Sequence, residues 1–283
     1  MTYDLIVLGS GPAGLAAALA ARGRDKSVLV IGNRWQDSPL ARAELVENYL
    51  GMPGVTGSEM LERFTDQAQR SGVEFVTGRA VSLMAYNGFM VTVGSDFYQS
   101  RALILAPGVA RAAKYPGEGE YLGRGVSYCA TCDGMLYRDK DVVVVGRAKD
   151  APHEANYLRS IGCQVIYVAN TRPDGLDEGI SFVKGGRLEV KGGQTVTALV
   201  VDGREIPCAG VFILRDAVAP TDLLPQLETE KGVVKVDRAM ATNVEGVFAA
   251  GDCTGAPLQI AKAVGEGHIA ALSACEYLDK LTD

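Results

Sequence analysis

The stretch TYDLIVLGSGPAG, residues 2–14, decides the fold of this chain. It predicts a buried strand over Thr2–Leu8 that runs directly into the glycine loop Gly9–Gly14. The Ala-rich stretch Leu15–Arg22 is typical of a helix and Ser27–Ile31 of a second strand, which completes a βαβ unit. Glycines at the strand-to-helix turn let the backbone approach a pyrophosphate, and free N–H groups at the helix N-terminus favour its charge. The stretch therefore predicts a Rossmann-like α/β fold that binds a dinucleotide.

The end of the second strand departs from the usual dinucleotide pattern. An acidic residue normally stands there and holds the ribose, but this chain reads Ile31-Gly32-Asn33. We expect the Asn33 side chain to hydrogen-bond a ribose hydroxyl instead, more weakly than a carboxylate would.

A dithiol motif and a second βαβ unit follow in the middle of the chain. Cys129-Ala130-Thr131-Cys132, followed by Asp133, precedes a strand over Val142–Val145, a helix over His153–Ile161 and a strand over Gln164–Ala169. Six Cys without a secretion signal indicate a reducing cytoplasm, where a C-x-x-C motif is more often redox-active or metal-binding than structural. Zinc needs four ligands. Because the chain has two His and no second C-x-x-C, we expect a redox dithiol and no metal.

Composition and charge argue against several other classes of protein. The chain is 47% hydrophobic and 22% charged, an ordinary globular mixture, and its net charge of -6 argues against nucleic acid as a partner. Asp4 interrupts any signal peptide, and no apolar run approaches the roughly 20 residues of a membrane helix. Residues 101–149, around the dithiol, carry eight Lys/Arg against five Asp/Glu. This mildly basic stretch could receive an acidic protein partner or could be an ordinary solvated surface.

Several segments, in this order, resemble the low-molecular-weight thioredoxin reductases over nearly the whole chain. The matching segments are Gly9–Gly14, Glu47–Tyr49, Cys129–Asp133, Thr242–Asp252, Gln259 and Ala261–Gly267. The resemblance implies two Rossmann-like (three-layer ββα) nucleotide-binding domains, the second inserted into the first. It places a FAD-binding domain at residues 1–112 and 241–283, and a central domain with the C-x-x-C motif at residues 113–240. It also implies FAD as cofactor, thioredoxin as substrate and a homodimer.

The resemblance assigns roles to residues at both ends of the chain and to the dithiol. The residues expected to bind FAD are Gly9, Ser10, Gly11, Pro12, Ala13, Gly14, Asn33, Leu40, Asn48, Ala106, Gly108, Gly251, Asp252, Gln259, Ile260 and Ala261. A closing helix over Gln259–Lys280, with a possible break near Gly265–Gly267, would point its first N–H groups at the flavin pyrimidine. Cys132 would face the flavin, Cys129 would attack the partner disulfide, and Asp133 would manage the proton of the thiolate pair.

The second βαβ unit lacks features that a nicotinamide dinucleotide needs. After its first strand the chain reads GRAKDA over residues 146–151, so Ala148 replaces the middle glycine and its Cβ obstructs a pyrophosphate. NADPH-dependent relatives grip the 2′-phosphate with several His and Arg, whereas this chain offers Arg172 and then the acidic segment Asp174–Glu178. A helix before Leu188–Val190 is also missing. These departures resemble the ferredoxin-dependent flavin thioredoxin reductases, which do not use pyridine nucleotides.

The leading hypothesis is therefore a flavoprotein that reduces thioredoxin through Cys129 and Cys132, with electrons from reduced ferredoxin, an acidic one-electron donor. An NADPH-dependent thioredoxin reductase with an altered but working loop is one alternative. A diflavin disulfide oxidoreductase with a second FAD and a non-enzymatic flavoprotein redox sensor are two others. Rotation of the central domain about linkers near Arg111–Tyr115 and Arg238–Thr242 would let one dithiol meet both flavin and thioredoxin.

Overall fold

The computed structural model describes residues 2–85, 87–109, 114–215 and 218–281, and it consists of two compact units. Unit 1 comprises Met1–Arg111 and Ala217–Asp283, and unit 2 comprises Ala112–Asp216. Each unit contains a Rossmann-like parallel sheet, and unit 2 is inserted into the sequence of unit 1, so the predicted α/β class is confirmed. The functional division into a flavin domain and a central domain stays a prediction.

The regular elements follow one another along both units. In chain order they are β1 (Thr2–Leu8), α1 (Pro12–Arg22), β2 (Val28–Gly32), α2 (Gly57–Arg70), β3 (Glu74–Thr77), β4 (Ala80–Ala85), β5 (Phe89–Val93), β6 (Asp96–Leu105), β7 (Val126–Ser127), α3 (Ala130–Asp133), β8 (Asp141–Gly146), α4 (Ala151–Ser160), β9 (Gln164–Ala169), β10 (Ser181–Lys184), β11 (Leu188–Gly192), β12 (Val196–Val201), β13 (Arg204–Pro207), β14 (Gly210–Leu214), α5 (Pro220–Leu223), β15 (Thr229–Glu230), β16 (Val233–Val234), β17 (Val247–Ala249) and α6 (Ile260–Lys280). Within the described part of the chain, none of these helices has the length and apolar character needed to cross a membrane.

The sheet of unit 1 combines a parallel part with an antiparallel extension. β3, β2, β1 and β6 lie side by side in parallel, and β17 pairs in parallel with β6. β5 and β4 extend the sheet in antiparallel fashion from the first half of β6. Leu8 is in register with Ile31 and with Leu105, so β1, β2 and β6 end together. The loops that carry Gly9 and Ala106 therefore meet at the sheet edge where α/β proteins bind their ligands.

Two helices cover the parallel part of this sheet. α1 packs against β1 and β2, and α6 packs against α1 and β6. The core between them contains fully buried small side chains such as Ala17, Ala18 and Ala271. α6 runs unbroken through residues 265–267, so the break considered from the sequence does not occur. Gly267 serves a close approach of the helices instead, because a Cβ on it would lie 2.1 Å from the carbonyl oxygen of Ala13.

Residues 218–240 belong to unit 1, although the sequence suggested the central domain for them. α5 contacts β4, and β16 contacts the 3₁₀ turn Gly251–Thr254, which follows β17. These contacts join the segment to unit 1, and the expected linker near Arg238–Thr242 therefore lies inside that unit.

Unit 2 has three layers. Its central sheet is parallel throughout, in the order β10-β9-β8-β14-β7, and a second sheet, β11-β12-β13, is antiparallel. Val142 and Val144 of β8 pack on the side of α3 and α4, whereas Val143 and Val145 pack toward β11 and β12. Because both faces of β8 are buried, its sequence reads as a continuous apolar run. Among the described residues, no helix lies between β9 and β11, as predicted.

Candidate active site

The loop Gly9–Gly14 joins β1 to α1 and requires glycine at two positions where a side chain would clash with backbone atoms. Gly9 has a φ of +123°, and a Cβ on it would lie 2.0 Å from the carbonyl oxygen of Ala106. A Cβ on Gly14 would lie 1.9 Å from the carbonyl oxygen of Gly9. A Cβ on Gly11 would instead meet nothing within 4 Å, so the backbone there is open to a ligand.

The same loop presents backbone donors at the start of α1. The N–H groups of Gly11 and Ala13 have no acceptor among the residues that the structure describes. Between them Pro12 occupies the first turn of the helix, where its missing N–H is not needed. Two unused donors at a helix N-terminus, beside an open glycine, form an arrangement suited to a phosphate.

Ser10 ties this loop to the end of β2. Its hydroxyl donates to the carbonyl oxygen of Asn33 over 2.5 Å. A Cβ on Gly32 would lie 2.7 Å from the Ser10 nitrogen, so the two segments touch closely. The main chain of Asn33 thus helps to position the loop, a role that was not predicted. The ribose contact expected of its side chain stays a prediction.

Gly251 brings the segment after β17 against the glycine loop. Its φ is +84°, and a Cβ on it would lie 2.8 Å from the Cβ of Ala13. Two side chains of α6 hold the segment: Lys262 Nζ donates to the carbonyl oxygen of Gly251 at 2.8 Å, and Glu266 Oε2 accepts its N–H at 2.9 Å. Lys262 and Glu266 also form an ion pair at 3.1 Å. They fix the neighbouring Asp252, and neither was predicted from the sequence.

Asp252 and Gly108 line a common open cleft within unit 1. Its other walls include Ala219–Thr221 and Gly232–Val234. Burial raises the pKa of Asp252 above its usual value, even though the charge of nearby Lys262 lowers it. Both additional wall segments were missed from the sequence, because residues 218–240 had been assigned to the other domain.

Asn48 and Gln259, far apart in sequence, meet in the structure. Asn48 Nδ2 donates to Gln259 Oε1 over 3.0 Å. Leu40 and Ile260 pack in one apolar cluster. At the start of α6, the N–H groups of Ile260 and Ala261 find no acceptor within the described ranges. The structure therefore brings these predicted residues together and leaves donors at the helix N-terminus.

The predicted redox residues share one turn of unit 2. Cys129 and Cys132 form a disulfide with 5.4 Å between their Cα atoms. Cys129 caps α3, and its sulfur accepts the N–H of Cys132 at 3.1 Å. Asp133 follows in α3, and its N–H donates to the carbonyl oxygen of Cys129 at 3.3 Å. Cys129 is 5% exposed, whereas Cys132 is exposed at the surface.

Glu154, in the first turn of α4, reaches the same turn and was not predicted. Its Oε2 accepts the N–H of Ala130 at 2.8 Å. α3 and α4 approach closely because a glycine follows the dithiol: a Cβ on Gly134 would lie 2.8 Å from a methyl carbon of Leu158. The sequence pattern showed α4 only as the helix of a nucleotide-binding unit, so this link to the dithiol was not visible.

The loop after β8 is closed by contacts within the protein. The N–H groups of Arg147 and Ala148 both donate to the carbonyl oxygen of Leu214, at 2.8 and 2.9 Å. A Cβ on Gly146 would lie 1.8 Å from the hydroxyl of Tyr167, which fills the space beside the loop. Burial raises the pKa of Tyr167 to about 12, so this hydroxyl stays neutral. Unlike the N–H of Gly11 in unit 1, the N–H of Ala148 at the corresponding position is therefore engaged.

The basic side chains of Arg147 and Arg172 are engaged as well. Arg147 Nε donates to the Tyr115 hydroxyl at 3.0 Å. Arg172 donates to the carbonyl oxygens of Asp177 and Ile180, at 3.0 and 3.2 Å. Both guanidinium groups are therefore bound to the protein itself.

A buried ion pair lies next to the dithiol strand β7. Glu118 is fully buried and accepts from Nη1 and Nη2 of Arg215 at 2.5 and 2.7 Å. It also accepts the Tyr115 N–H at 2.8 Å and the Tyr128 hydroxyl at 2.9 Å. Burial raises the pKa of Glu118, but these bonds outweigh it and hold the pKa below its usual value. Because Tyr128 directly precedes Cys129, the pair supports the dithiol turn.

The remaining cysteines are free thiols that are buried in the protein. They are Cys163, Cys208, Cys253 and Cys275. Burial raises the pKa of each, to about 12 for Cys208 and Cys253, so they stay protonated at neutral pH.

A dinucleotide loop in one unit and a redox disulfide in the other define a flavoprotein disulfide oxidoreductase. The chain belongs to the pyridine nucleotide-disulphide oxidoreductase family, whose model matches residues 3–267. A thioredoxin reductase from Listeria innocua is 34% identical to it over 306 residues, which cover 99% of this chain and 95% of that protein. A ferredoxin-flavin thioredoxin reductase structure from Clostridium acetobutylicum is 38% identical, covers 100% of this chain and 99% of its own, and has a TM-score of 0.90. A thioredoxin reductase structure from Gloeobacter violaceus is 34% identical, covers 99% and 95%, and has a TM-score of 0.82.

FAD is the cofactor of this chain, and the residues of unit 1 fit it. The open face of Gly11 and the unused N–H groups at the start of α1 suit its pyrophosphate. Asp252, in the cleft, is placed to accept hydrogen bonds from ribityl hydroxyls. The unused N–H groups of Ile260 and Ala261 suit the polar edge of a flavin. The individual contacts remain proposals.

Proposed function

We propose that this chain reduces thioredoxin and takes its electrons from reduced ferredoxin rather than from NADPH. The substrate is supported by relatives named thioredoxin reductase, including the one from Listeria innocua. The donor is supported by the likeness to the ferredoxin-flavin thioredoxin reductase from Clostridium acetobutylicum. One observation carries the proposal: the Leu214 carbonyl oxygen accepts the N–H of Ala148, which stands where Gly11 in the loop of unit 1 offers a donor without an acceptor among the described residues.

Opening this second loop to NADPH would be costly. Both bonds to Leu214 would have to break, and a buried acceptor left without its donors costs about 1–3 kcal/mol. Ala148 adds a Cβ where the pyrophosphate approaches a fingerprint loop. The 2′-phosphate would find Arg172 held by main-chain oxygens next to the exposed acidic side chains Asp174 and Glu178. These features favour a donor that does not bind at this loop.

The chemistry at the disulfide follows from the α3 turn. When bound, FAD supplies the ability to collect single electrons and deliver them as a pair. Two electrons and one proton convert the Cys129–Cys132 bond into a thiolate and a thiol. The Cys132 N–H already points at the Cys129 sulfur at 3.1 Å, so it stabilises a thiolate there. That thiolate attacks thioredoxin, a mixed disulfide forms, and Cys132 then attacks Cys129 to release the reduced partner. Asp133 takes and returns the proton.

The choice of Cys129 as the attacking sulfur faces one opposing observation. Cys129 is 5% exposed, so the turn must open before it can reach a protein disulfide. The Cys132→Ser variant should trap thioredoxin as a mixed disulfide on a non-reducing denaturing gel, and Cys129→Ser is its matched control. Trapping by Cys129→Ser alone would assign the attack to Cys132 instead.

An exposed apolar pair lies three and four residues after Cys132. Met135 is 55% exposed and Leu136 is 69% exposed, on the 3₁₀ turn Gly134–Tyr137. Apolar side chains held in solvent beside a redox site suit a protein partner. The pair therefore supports a protein, rather than a small disulfide, as the substrate.

The setting of the reaction is also a proposal. By resemblance, the active form is a homodimer in the cytoplasm, with FAD held by unit 1. Light scattering of the FAD-loaded protein would test the dimer, since a monomer mass would contradict it.

Turnover with defined donors tests the proposed function. Reduced ferredoxin, generated in the absence of oxygen, should drive reduction of thioredoxin disulfide by the FAD-loaded protein, and NADPH in its place should not. The Cys129→Ser/Cys132→Ser double variant is the control, because it keeps the flavin unit and lacks the dithiol. Turnover with NADPH would overturn the choice of donor, and bound flavin at about two FAD per chain would favour the diflavin alternative.

A further inference from the structure

A carboxylate of unit 2 holds the dithiol turn, and it belongs to the helix that follows the closed loop after β8. Glu154 lies half-buried in the first turn of α4, directly after residues 146–150 of that loop. Its Oε2 accepts the N–H of Ala130 at 2.8 Å. Ala130 is fully buried, and its nitrogen is bonded to the carbonyl carbon of Cys129. The carboxylate therefore lies within one residue of a redox-active sulfur.

This hydrogen bond has two effects on the reduced dithiol. It fixes the start of α3, so the Cys132 N–H keeps its direction toward the Cys129 sulfur. It also takes up an N–H group that could otherwise help to stabilise a thiolate and places a negative charge close to it. A like charge nearby disfavours the ionised form of a thiol. The two effects predict a positioned dithiol whose thiolate is less stable than the turn geometry alone would make it.

We propose that Glu154 is a positioning residue that sets the redox equilibrium of the Cys129–Cys132 disulfide. Its charge holds the reduced dithiol at higher energy and so makes it a stronger reductant toward a substrate disulfide. Helix α4, which follows the closed loop after β8, would thereby help to set the redox equilibrium of the dithiol. This inference rests on the proposed function only in taking Cys129 and Cys132 as the residues that turn over.

The test is the thiol–disulfide equilibrium of the FAD-loaded protein with dithiothreitol, without ferredoxin or thioredoxin. In this exchange the protein disulfide breaks while the cyclic disulfide of dithiothreitol forms, so electrons and atoms balance. Acid quenching and thiol labelling under denaturing conditions give the ratio of dithiol to disulfide. Glu154→Gln keeps a hydrogen-bond acceptor for the Ala130 N–H and removes the charge. We expect it to shift the equilibrium toward the dithiol by about threefold or more at pH 8.5.

The pH dependence of this shift distinguishes an effect of the Glu154 charge from a purely structural effect of the substitution. A thiolate is needed for the charge to act, so the shift should grow from pH 6.5 to pH 8.5 as the thiol ionises. Other ionisable groups on the elements around α3 are Asp133, Tyr137, His153, Tyr157 and Arg159, and the Gln variant leaves them in place. A constant shift over this range would overturn the charge argument.

Glu189→Gln is the matched control. Glu189 is an exposed residue of β11 in the antiparallel sheet, whereas the dithiol and α4 pack on the opposite side of the central sheet. It should leave the equilibrium unchanged. The proposal is wrong if Glu154→Gln behaves like Glu189→Gln at every pH. That failure would leave the proposed function intact, because no electron donor or protein substrate takes part.

Discussion

The buried ion pair of unit 2 provides a prediction with a defined size. Glu118→Gln removes the charge that faces Arg215, whose side chain is 13% exposed. Removing one partner of a buried pair leaves the other charge uncompensated and typically costs about 3–5 kcal/mol. We therefore expect unit 2 to lose about 3 kcal/mol of stability. The double variant Glu118→Gln/Arg215→Met removes both charges and should lose less than the single variant.

Native-state hydrogen exchange measures this loss where it should appear. Arg215 directly follows β14, which pairs with β8, and Val142–Val145 of β8 are fully buried. Their amide exchange, read by mass spectrometry, should accelerate by about two orders of magnitude in Glu118→Gln, because about 1.4 kcal/mol corresponds to a factor of ten. Glu189→Gln is an exposed control in the same unit and should exchange like the parent.

The stability of unit 2 at low pH provides a second test of the Glu118–Arg215 pair. The pKa of Glu118 in the folded protein lies below its usual value because the bonds from Arg215, Tyr115 and Tyr128 outweigh burial. Its ionised form therefore stabilises unit 2 above the unfolded pKa, and this contribution is lost as the pH falls through the folded pKa. The difference between parent and Glu118→Gln should shrink below about pH 4. Exchange within threefold of the parent at neutral pH would refute the reasoning.

Three further predictions concern the two nucleotide loops and the closing helix. Gly11→Val should weaken FAD binding by about tenfold or more, because its side chain fills the open space beside the loop where the pyrophosphate would lie; the flavin-to-protein absorbance ratio measures this. Gly267→Ala should destabilise unit 1 by about 1–3 kcal/mol, since its Cβ would lie 2.1 Å from the Ala13 carbonyl oxygen; urea unfolding followed by tryptophan fluorescence reports it. Ala148→Gly should not confer flavin reduction by NADPH, because the loop N–H groups stay bonded to Leu214, as absorbance would show.

Each of these predictions has a result that would contradict it. Parent-like flavin content in Gly11→Val would place the cofactor away from the loop. Gly265→Ala adds a methyl group where nothing lies within 4 Å, so it should be neutral or stabilising by up to about 1 kcal/mol. If Gly265→Ala and Gly267→Ala destabilise equally, close helix packing is not the reason. Bleaching of Ala148→Gly by NADPH would show that one methyl group, and not the engaged donors, excludes the nucleotide.

Local patterns predicted much of the fold and the elements that carry the candidate flavin site. The strand, glycine loop and helix over residues 2–22 lie next to one another in sequence, so periodicity and the loop motif suffice to identify them. The C-x-x-C turn is equally local, and the structure joins Cys129 to Cys132. The bond from the Ser10 hydroxyl to the Asn33 carbonyl oxygen and the Gly267 contact cannot be read from such patterns, since each depends on backbone positions in three dimensions.

The features that sequence patterns missed depend on distant partners. Glu118 and Arg215 are 97 residues apart, and each alone reads as an ordinary surface charge. Glu154 and Ala130 are 24 residues apart and belong to different elements. Residues 218–240 carry only short elements, so their membership of unit 1 rests on tertiary contacts with β4 and with the turn after β17. Local propensity contains no information about such pairings.

The central claim concerns the electron donor, and anaerobic reduction of the bound flavin tests it most directly. The flavin absorbance would be followed after addition of reduced ferredoxin, NADPH or NADH to separate samples of the FAD-loaded protein. Fast bleaching by reduced ferredoxin alone, followed by reoxidation when thioredoxin disulfide is added, is the predicted result. Fast bleaching by NADPH would contradict the account, because it would mean that the loop bonded to Leu214 opens readily and still binds the nucleotide.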